Sequence, residues 1–104
     1  MDIQVNASEW NEITEETRGK IKAIITSHFP DVSLRASESA PASKDALRQQ
    51  KLQEFNFRNP LCTAACGIAE AAAVAACSAL SGGVAIAACV AAAHEAGNYC
   101  RSRC

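Results

Sequence analysis

Apolar and polar positions follow one rule in the first half of the chain and another in the second. Between Thr14 and His28 the apolar residues Ile21, Ile24 and Ile25, with His28, recur on one face at helical spacing. Thr14 stands where an N-cap belongs, and Glu15 and Glu16 follow where the positive end of a helix favours acids. This helix is predicted to end before Pro30. Its apolar face is narrow, and a helix this short is marginal alone, so it calls for a partner surface. Residues 1–12 show no sustained period and read as irregular. Residues 31–43, with Ser33, Ser37, Ser39, Pro41 and Ser43, read as a linker. Ser43 then caps a second short helix over about 44–56, with Leu47, Leu52 and Phe55 as its apolar positions, and Asn59-Pro60 marks a boundary. Beyond it come two alanine-dominated runs, about 61–80 and 84–99, broken by Ser81-Gly82-Gly83. That pattern predicts two helical arms and a turn at those three residues.

The cysteines sharpen this picture. Cys62, Cys66, Cys77, Cys89, Cys100 and Cys104 form a palindrome about Gly83. At about 3.6 residues per turn, steps of four and eleven residues return to nearly one helix face. Cys62, Cys66 and Cys77 are spaced four and eleven, and Cys89, Cys100 and Cys104 eleven and four. Each arm therefore carries one cysteine stripe, and the stripes face each other if the chain reverses at Ser81-Gly82-Gly83. Six cysteines can pair in fifteen ways; symmetry selects the nested set Cys62–Cys104, Cys66–Cys100 and Cys77–Cys89. Ala69, Ala73, Ala76, Ala93 and Ala96 line the arms, and small side chains permit the close helix approach that a disulfide requires.

Composition separates the halves further. All six cysteines and sixteen alanines lie after residue 60, where Glu70, Glu95, Arg101 and Arg103 are the only formal charges, while the first sixty residues are charged and free of cysteine. A segment of that size buries too little apolar surface to fold well unaided. Disulfides would be its main fastening, at about 3 kcal/mol each, which implies an oxidising final location. The acidic start, with Asp2, Glu9, Glu12, Glu15 and Glu16, lacks the basic and apolar regions of a secretory signal. A dedicated exporter or lysis would then release the peptide, leaving the precursor cytoplasmic. The net charge of −1, without a basic stripe, argues against nucleic acid as a partner.

Enzymatic chemistry finds little support. His28 and His94 fall in different parts of the chain, and no nucleophile–base constellation or phosphate loop is visible. In the nested register Glu70 falls opposite Ala96 and beside Glu95, so a carboxylate pair is conceivable, against the plainer expectation of two solvated charges on an outer rim. Metal binding through cysteines and His94 is a rival, but the spacing here is C-x3-C on helices, whereas zinc sites favour C-x2-C on turns. No cofactor is expected. Residues 71–93 lack charge and are long enough to span a bilayer, yet more than half are alanine and a Ser-Gly-Gly turn sits among them. Ile68, Val74, Leu80, Val84, Ile86 and Val90 would leave the outer faces of the arms partly apolar, which suggests a membrane or partner surface.

Two alanine- and glycine-rich helices, nested disulfides, the Ser-Gly-Gly loop, and Asn98-Tyr99 before Cys100 and the arginines together resemble the secreted core of glycocin bacteriocins of the sublancin type. The resemblance covers about residues 62–104. It implies a ribosomally made precursor with a leader and a disulfide-stapled antimicrobial core. The chain departs from that family in having three cysteine pairs rather than two, no unpaired loop cysteine to carry a sugar, and no double glycine before the core. Ser78 and Ser81 are modification candidates only by analogy. The twin C-x3-C motifs, Cys62–Cys66 and Cys100–Cys104, also resemble those of mitochondrial small Tim chaperones and plant α-hairpinin defence peptides, although the intervening segment is longer here.

The expected architecture is all-α: a flexible, partly helical leader over 1–43, a short helix and boundary over 44–60, and an antiparallel helical hairpin over 61–104. The expected function is that of a bacteriocin precursor. Residues 14–28 would engage a leader-processing protease or transporter, and the secreted core would meet a target membrane or membrane receptor through Ile68, Val74, Ile86, Val90, Arg101 and Arg103. The alternatives are a helical-hairpin chaperone or interaction module that keeps its N-terminal half, and a cysteine-rich metal binder.

Overall fold

A computed structural model describes residues 2–40 and 60–103. The helix expected over 44–56, its cap Ser43, and Cys104 with the outermost rung lie outside the described residues. The described elements are β1 (Asp2–Asn6), α1 (Ala7–Glu12), α2 (Glu15–His28), β2 (Ser33–Ser37), α3 (Pro60–Cys77) and α4 (Gly83–Ser102).

The molecule is mostly helical but not all-α. Residues 1–12, expected to be irregular, hold a strand and a short helix, and the expected linker over 31–43 holds a second strand. β1 and β2 pair in parallel, with Ile3 opposite Leu34 and Val5 opposite Ala36. Ile3 and Val5 are buried and Asp2 and Gln4 exposed, the period-two alternation of a strand with one covered face. A parallel pair needs a long crossover, and α1 with α2 supplies it. Asn6 ends the strand and starts the helix. Its Oδ1 accepts the Glu9 backbone N–H at 3.0 Å, and its Nδ2 donates to the Ala40 carbonyl at 3.0 Å.

α2 begins and ends where its pattern placed it. Thr14 Oγ1 accepts the Thr17 N–H at 3.2 Å, and the Phe29 N–H closes the last turn on the Ile25 carbonyl at 2.7 Å. Ile21 and Ile25 are fully buried and Ile24 is half-buried. The partner surface this helix called for is the alanine-rich pair. One buried cluster joins Ile3, Val5, Trp10, Ile13, Ile21, Ile25, Phe29 and Val32 to Ala73, Ala85, Ala88, Ala92, Ala93 and Ala96. The N-terminal segment is therefore packed on α3 and α4 rather than held apart as a flexible leader.

α4 is the central element. It buries Ala85, Ala88, Cys89, Ala91, Ala92, Ala93, Ala96 and Gly97, with α3 on one side and β1, α1 and α2 also packed against it. The connection between α3 and α4 occupies residues 78–82, earlier than expected. Ser78 Oγ caps the Ala75 carbonyl at 2.6 Å, and Leu80 N–H closes on Cys77 at 3.1 Å. Gly82 adopts φ of 94°, a left-handed conformation suited to glycine. Gly83, assigned to the turn by pattern, is the first residue of α4.

Candidate functional site

Among the described residues two disulfides cross between α3 and α4: Cys66–Cys100, with Cα atoms 5.7 Å apart, and Cys77–Cys89, with Cα atoms 5.6 Å apart. Among the described residues no cysteine is free. Residue separations of 34 and 12 correspond in the chain-entropy model to about 4 and about 3 kcal/mol of stabilisation taken singly. The two bonds are not independent, so these values do not add. All six cysteines lie after residue 60, so the N-terminal segment is held to α3 and α4 without a covalent cross-link to them.

Between the two rungs sits a polar cluster. Glu70 on α3 accepts the Nδ1–H of His94 at 2.9 Å through Oε1. Arg101 donates Nη1 to Oε2 at 2.9 Å and Nη2 to Oε1 at 3.3 Å, a bidentate grip. Arg101 Nη2 also reaches Asn98 Oδ1. The side chains of Glu70 and Arg101 are 15% and 16% exposed, so this pair is largely withdrawn from water. Burial alone would raise the Glu70 carboxyl, but hydrogen bonds from His94 and Arg101 and their charges outweigh it, and the net shift is downward. Glu95 makes the contrast. It is half-buried and its carboxyl is pushed up by desolvation.

Gly97 completes the arrangement. A Cβ there would lie 2.7 Å from both Cδ and Oε1 of Glu70, so the carboxylate sits in a notch that the absence of a side chain at Gly97 leaves open, and a methyl there would make it shift. The expected alternatives for Glu70, a solvated rim charge or a carboxylate pair with Glu95, are thus both replaced by an ion cluster with His94 and Arg101. The hydrophobic pattern missed it because a lone acid among alanines looks like a surface position. The signal was the spacing of His94, Asn98 and Arg101 on one face of α4. Chemically the cluster binds and orients. Both Glu70 oxygens are already engaged by cationic or imidazole donors, which leaves the carboxylate unsuited to act as a base.

The residues expected to meet a membrane or receptor are dispersed. Ile68 is 72% exposed, whereas Val74 and Val90 pack partly against the core and Ile86 is half-buried. Arg101 is spent on Glu70 rather than presented at the open end. Arg103 is exposed, stacks over Tyr99 at 5.5 Å and lies 3.7 Å from Asp31 of the N-terminal segment. Ser78 and Ser81 are both exposed. Residues 14–28, expected to engage a leader-processing protease or transporter, form α2, whose Ile21 and Ile25 face is filled from within. Two open clefts follow the seam between the halves. One, of about 420 Å³, lies between His28–Asp31 and Tyr99–Arg103; the other, of about 530 Å³, lies between Lys20, Ile24 and Leu80.

Among the described residues no helix is long and apolar enough to cross a membrane, and no three His, Cys, Asp or Glu side chains group as metal ligands. Comparison with protein-family models, with curated proteins and with solved structures finds no match.

Proposed function

We propose that the chain is the precursor of a ribosomally made antimicrobial peptide. Its core, from about residue 61 onward, is an antiparallel helical hairpin stapled by nested disulfides, and its N-terminal segment is a removable cover. One observation carries this. The apolar side chains of residues 2–32 and the alanines of α3 and α4 share one buried cluster, while every cysteine lies on the α3–α4 side. Among the described residues two cross-links fasten the alanine helices, whereas noncovalent contacts hold the cover. A cut in the stretch 41–59 would leave the cover attached by those contacts alone, and its loss would uncover Ala85, Ala88, Ala92 and Ala96. Together with exposed Ile68, that uncharged surface is suited to a membrane or a receptor within it. The core is then the secreted form and the whole chain the cytoplasmic one, with a protease-transporter acting between them.

A second reading draws on the same cluster. Trp10, 6% exposed, belongs to the same buried cluster as the alanines of α3 and α4. A module that keeps both halves, such as a disulfide-fastened adaptor or chaperone, accounts for that burial directly.

Intact-mass analysis of the protein recovered from the producer's medium separates the two. Material lacking Trp10, carrying three disulfides and inhibiting the growth of related bacteria more strongly than the whole chain, supports the precursor. Material that retains Trp10 and does not inhibit growth supports the module.

A further inference from the structure

The seam between α3 and α4 has a problem that its cysteines do not solve by themselves. Between its cysteines it is lined largely by alanine methyls, Ala69 and Ala73 on α3 and Ala85, Ala88, Ala92, Ala93 and Ala96 on α4. Slide one helix past the other by a turn, and methyl still meets methyl. Packing of this kind drives the helices together but hardly distinguishes one alignment from the next. The short connection over 78–82 limits the slip without abolishing it, since a turn can be borrowed from either helix end. Meanwhile Cys62 and Cys66, like Cys100 and Cys104, are four residues apart in the sequence, a spacing close to one turn of a helix. A one-turn slip therefore brings Cys66 to Cys104, or Cys62 to Cys100, and offers the oxidant a wrong pair.

One place on the seam does distinguish alignments. Glu70 takes up this position where α4 presents Gly97, because a methyl at that point would lie 2.7 Å from its carboxylate and force it to shift away from its donors. In the same alignment His94 and Arg101 close on its two oxygens at 2.9 Å each. Moved by about a turn, Glu70 would confront Ala93 or Arg101 instead of the notch, and its charge would be left without this set of donors. A withdrawn charge without its partners is strongly disfavoured, and a single buried polar contact of this sort is the best-attested means of setting helix register. The cluster is also well placed to act on the cysteines. Glu70 is one turn from Cys66, and Arg101 follows Cys100 directly, so the alignment that satisfies the carboxylate is the one that sets Cys66 against Cys100.

We propose that the Glu70–Arg101–His94 cluster, seated at Gly97, sets the register of α3 on α4 before oxidation and thereby selects the native cysteine pairing. The step it guides is ordinary thiol–disulfide exchange with a disulfide oxidant. In each rung two cysteine thiols lose two protons and two electrons to form one S–S bond, and one glutathione disulfide is reduced to two glutathione thiols. The cluster takes no part in that transfer. It decides which thiols are neighbours when the transfer occurs. The proposal does not rest on the antimicrobial reading and holds equally for a retained module.

The test is oxidation of the fully reduced, full-length chain with glutathione disulfide, quenched by acid. Pairing is then read by mass spectrometry of the unreduced, proteolysed product with backbone fragmentation. The wild-type chain is expected to yield Cys66–Cys100 and Cys77–Cys89 as the dominant pairs. In Glu70→Gln the ratio of Cys66–Cys100 to the slipped pairs Cys66–Cys104 and Cys62–Cys100 is expected to fall about tenfold, the equivalent of ~1.4 kcal/mol. Glu70→Arg and Arg101→Glu are each expected to scramble the product, and the double variant, which restores an opposite-charge pair, to recover most of the native ratio. An unchanged ratio in Glu70→Gln would overturn the proposal. So would a double variant no better than either single one, because the loss would then reflect general destabilisation rather than a register contact.

Discussion

Replacing Ile25 by alanine tests whether the N-terminal segment and the cross-linked helices are one cooperative body. Ile25 lies in the last half of α2, is fully buried, and belongs to the cluster that includes Ala92 and Ala96. The substitution removes three carbons, each worth roughly 0.8 kcal/mol on transfer from water. It also leaves a cavity that the rigid helices on the far side cannot fully close. The expected loss is therefore about 3 to 4 kcal/mol, within the range for buried isoleucine truncations. The disulfides are untouched, so the chain stays oxidised throughout. Urea unfolding followed by the emission of Trp10, the single tryptophan, and in parallel by helical circular dichroism is the assay. Both probes should move to a lower midpoint together, with little change of slope. A loss below about 1 kcal/mol would refute the buried position of Ile25. If the Trp10 transition moved while the helical one stayed, the two halves would not share a core.

Two further expectations concern the seam. Glu70→Gln should cost about 2 kcal/mol at neutral pH. The Glu70 carboxyl is lowered in the folded state, so its contribution is present above the ordinary carboxylate value and disappears as pH falls through the lowered one. Glu95→Gln should do the reverse. The Glu95 carboxyl is raised by burial, so its ionisation penalises the fold above the raised value and is absent below the ordinary one. Thermal midpoints from about pH 3 to 8 should show one variant below and the other above wild type at neutral pH, with both differences shrinking in acid; parallel curves would contradict the assignment. Among the glycines, Gly97→Ala should destabilise because its methyl, 2.7 Å from the Glu70 carboxylate, would push that group off its bonds to His94 and Arg101. Gly67→Ala, with nothing within 4 Å of the new Cβ, should stabilise by up to about 1 kcal/mol through helix propensity. Denaturant midpoints that rank the two variants the other way would contradict the notch.

What could be foreseen from the residues depended on the length of the pattern. α2 was legible because fourteen residues carry a cap, an acidic first turn and three isoleucines in register. The pairs Cys66–Cys100 and Cys77–Cys89 were legible because disulfide spacing is a long-range symmetry that alanine does not blur. β1 and β2 were not. Each is five residues long, and β1 buries only Ile3 and Val5, too short a run to stand out from irregular chain. The role of Arg101 was misread for another reason. Near the end of an arm it looked like a free cation, although its spacing from His94 and Asn98 already put it on the face that meets Glu70. The common core of the two halves was the least legible feature, since alanine faces carry no mark of what covers them.

The alanine seam also governs how the molecule responds to temperature. Buried methyls sacrifice no rotamer freedom on folding and expose little apolar area on unfolding. The heat-capacity increment follows that area, and for ordinary domains it is about 12–15 cal/mol/K per residue. α3 and α4 should fall below this figure, and the cross-links should lower it further by keeping the unfolded chain compact. A small increment flattens the curve of stability against temperature. In a single cooperative unit the alanine helices therefore add little to the curvature of stability with temperature, which comes chiefly from the part built on Trp10, Ile21 and Ile25.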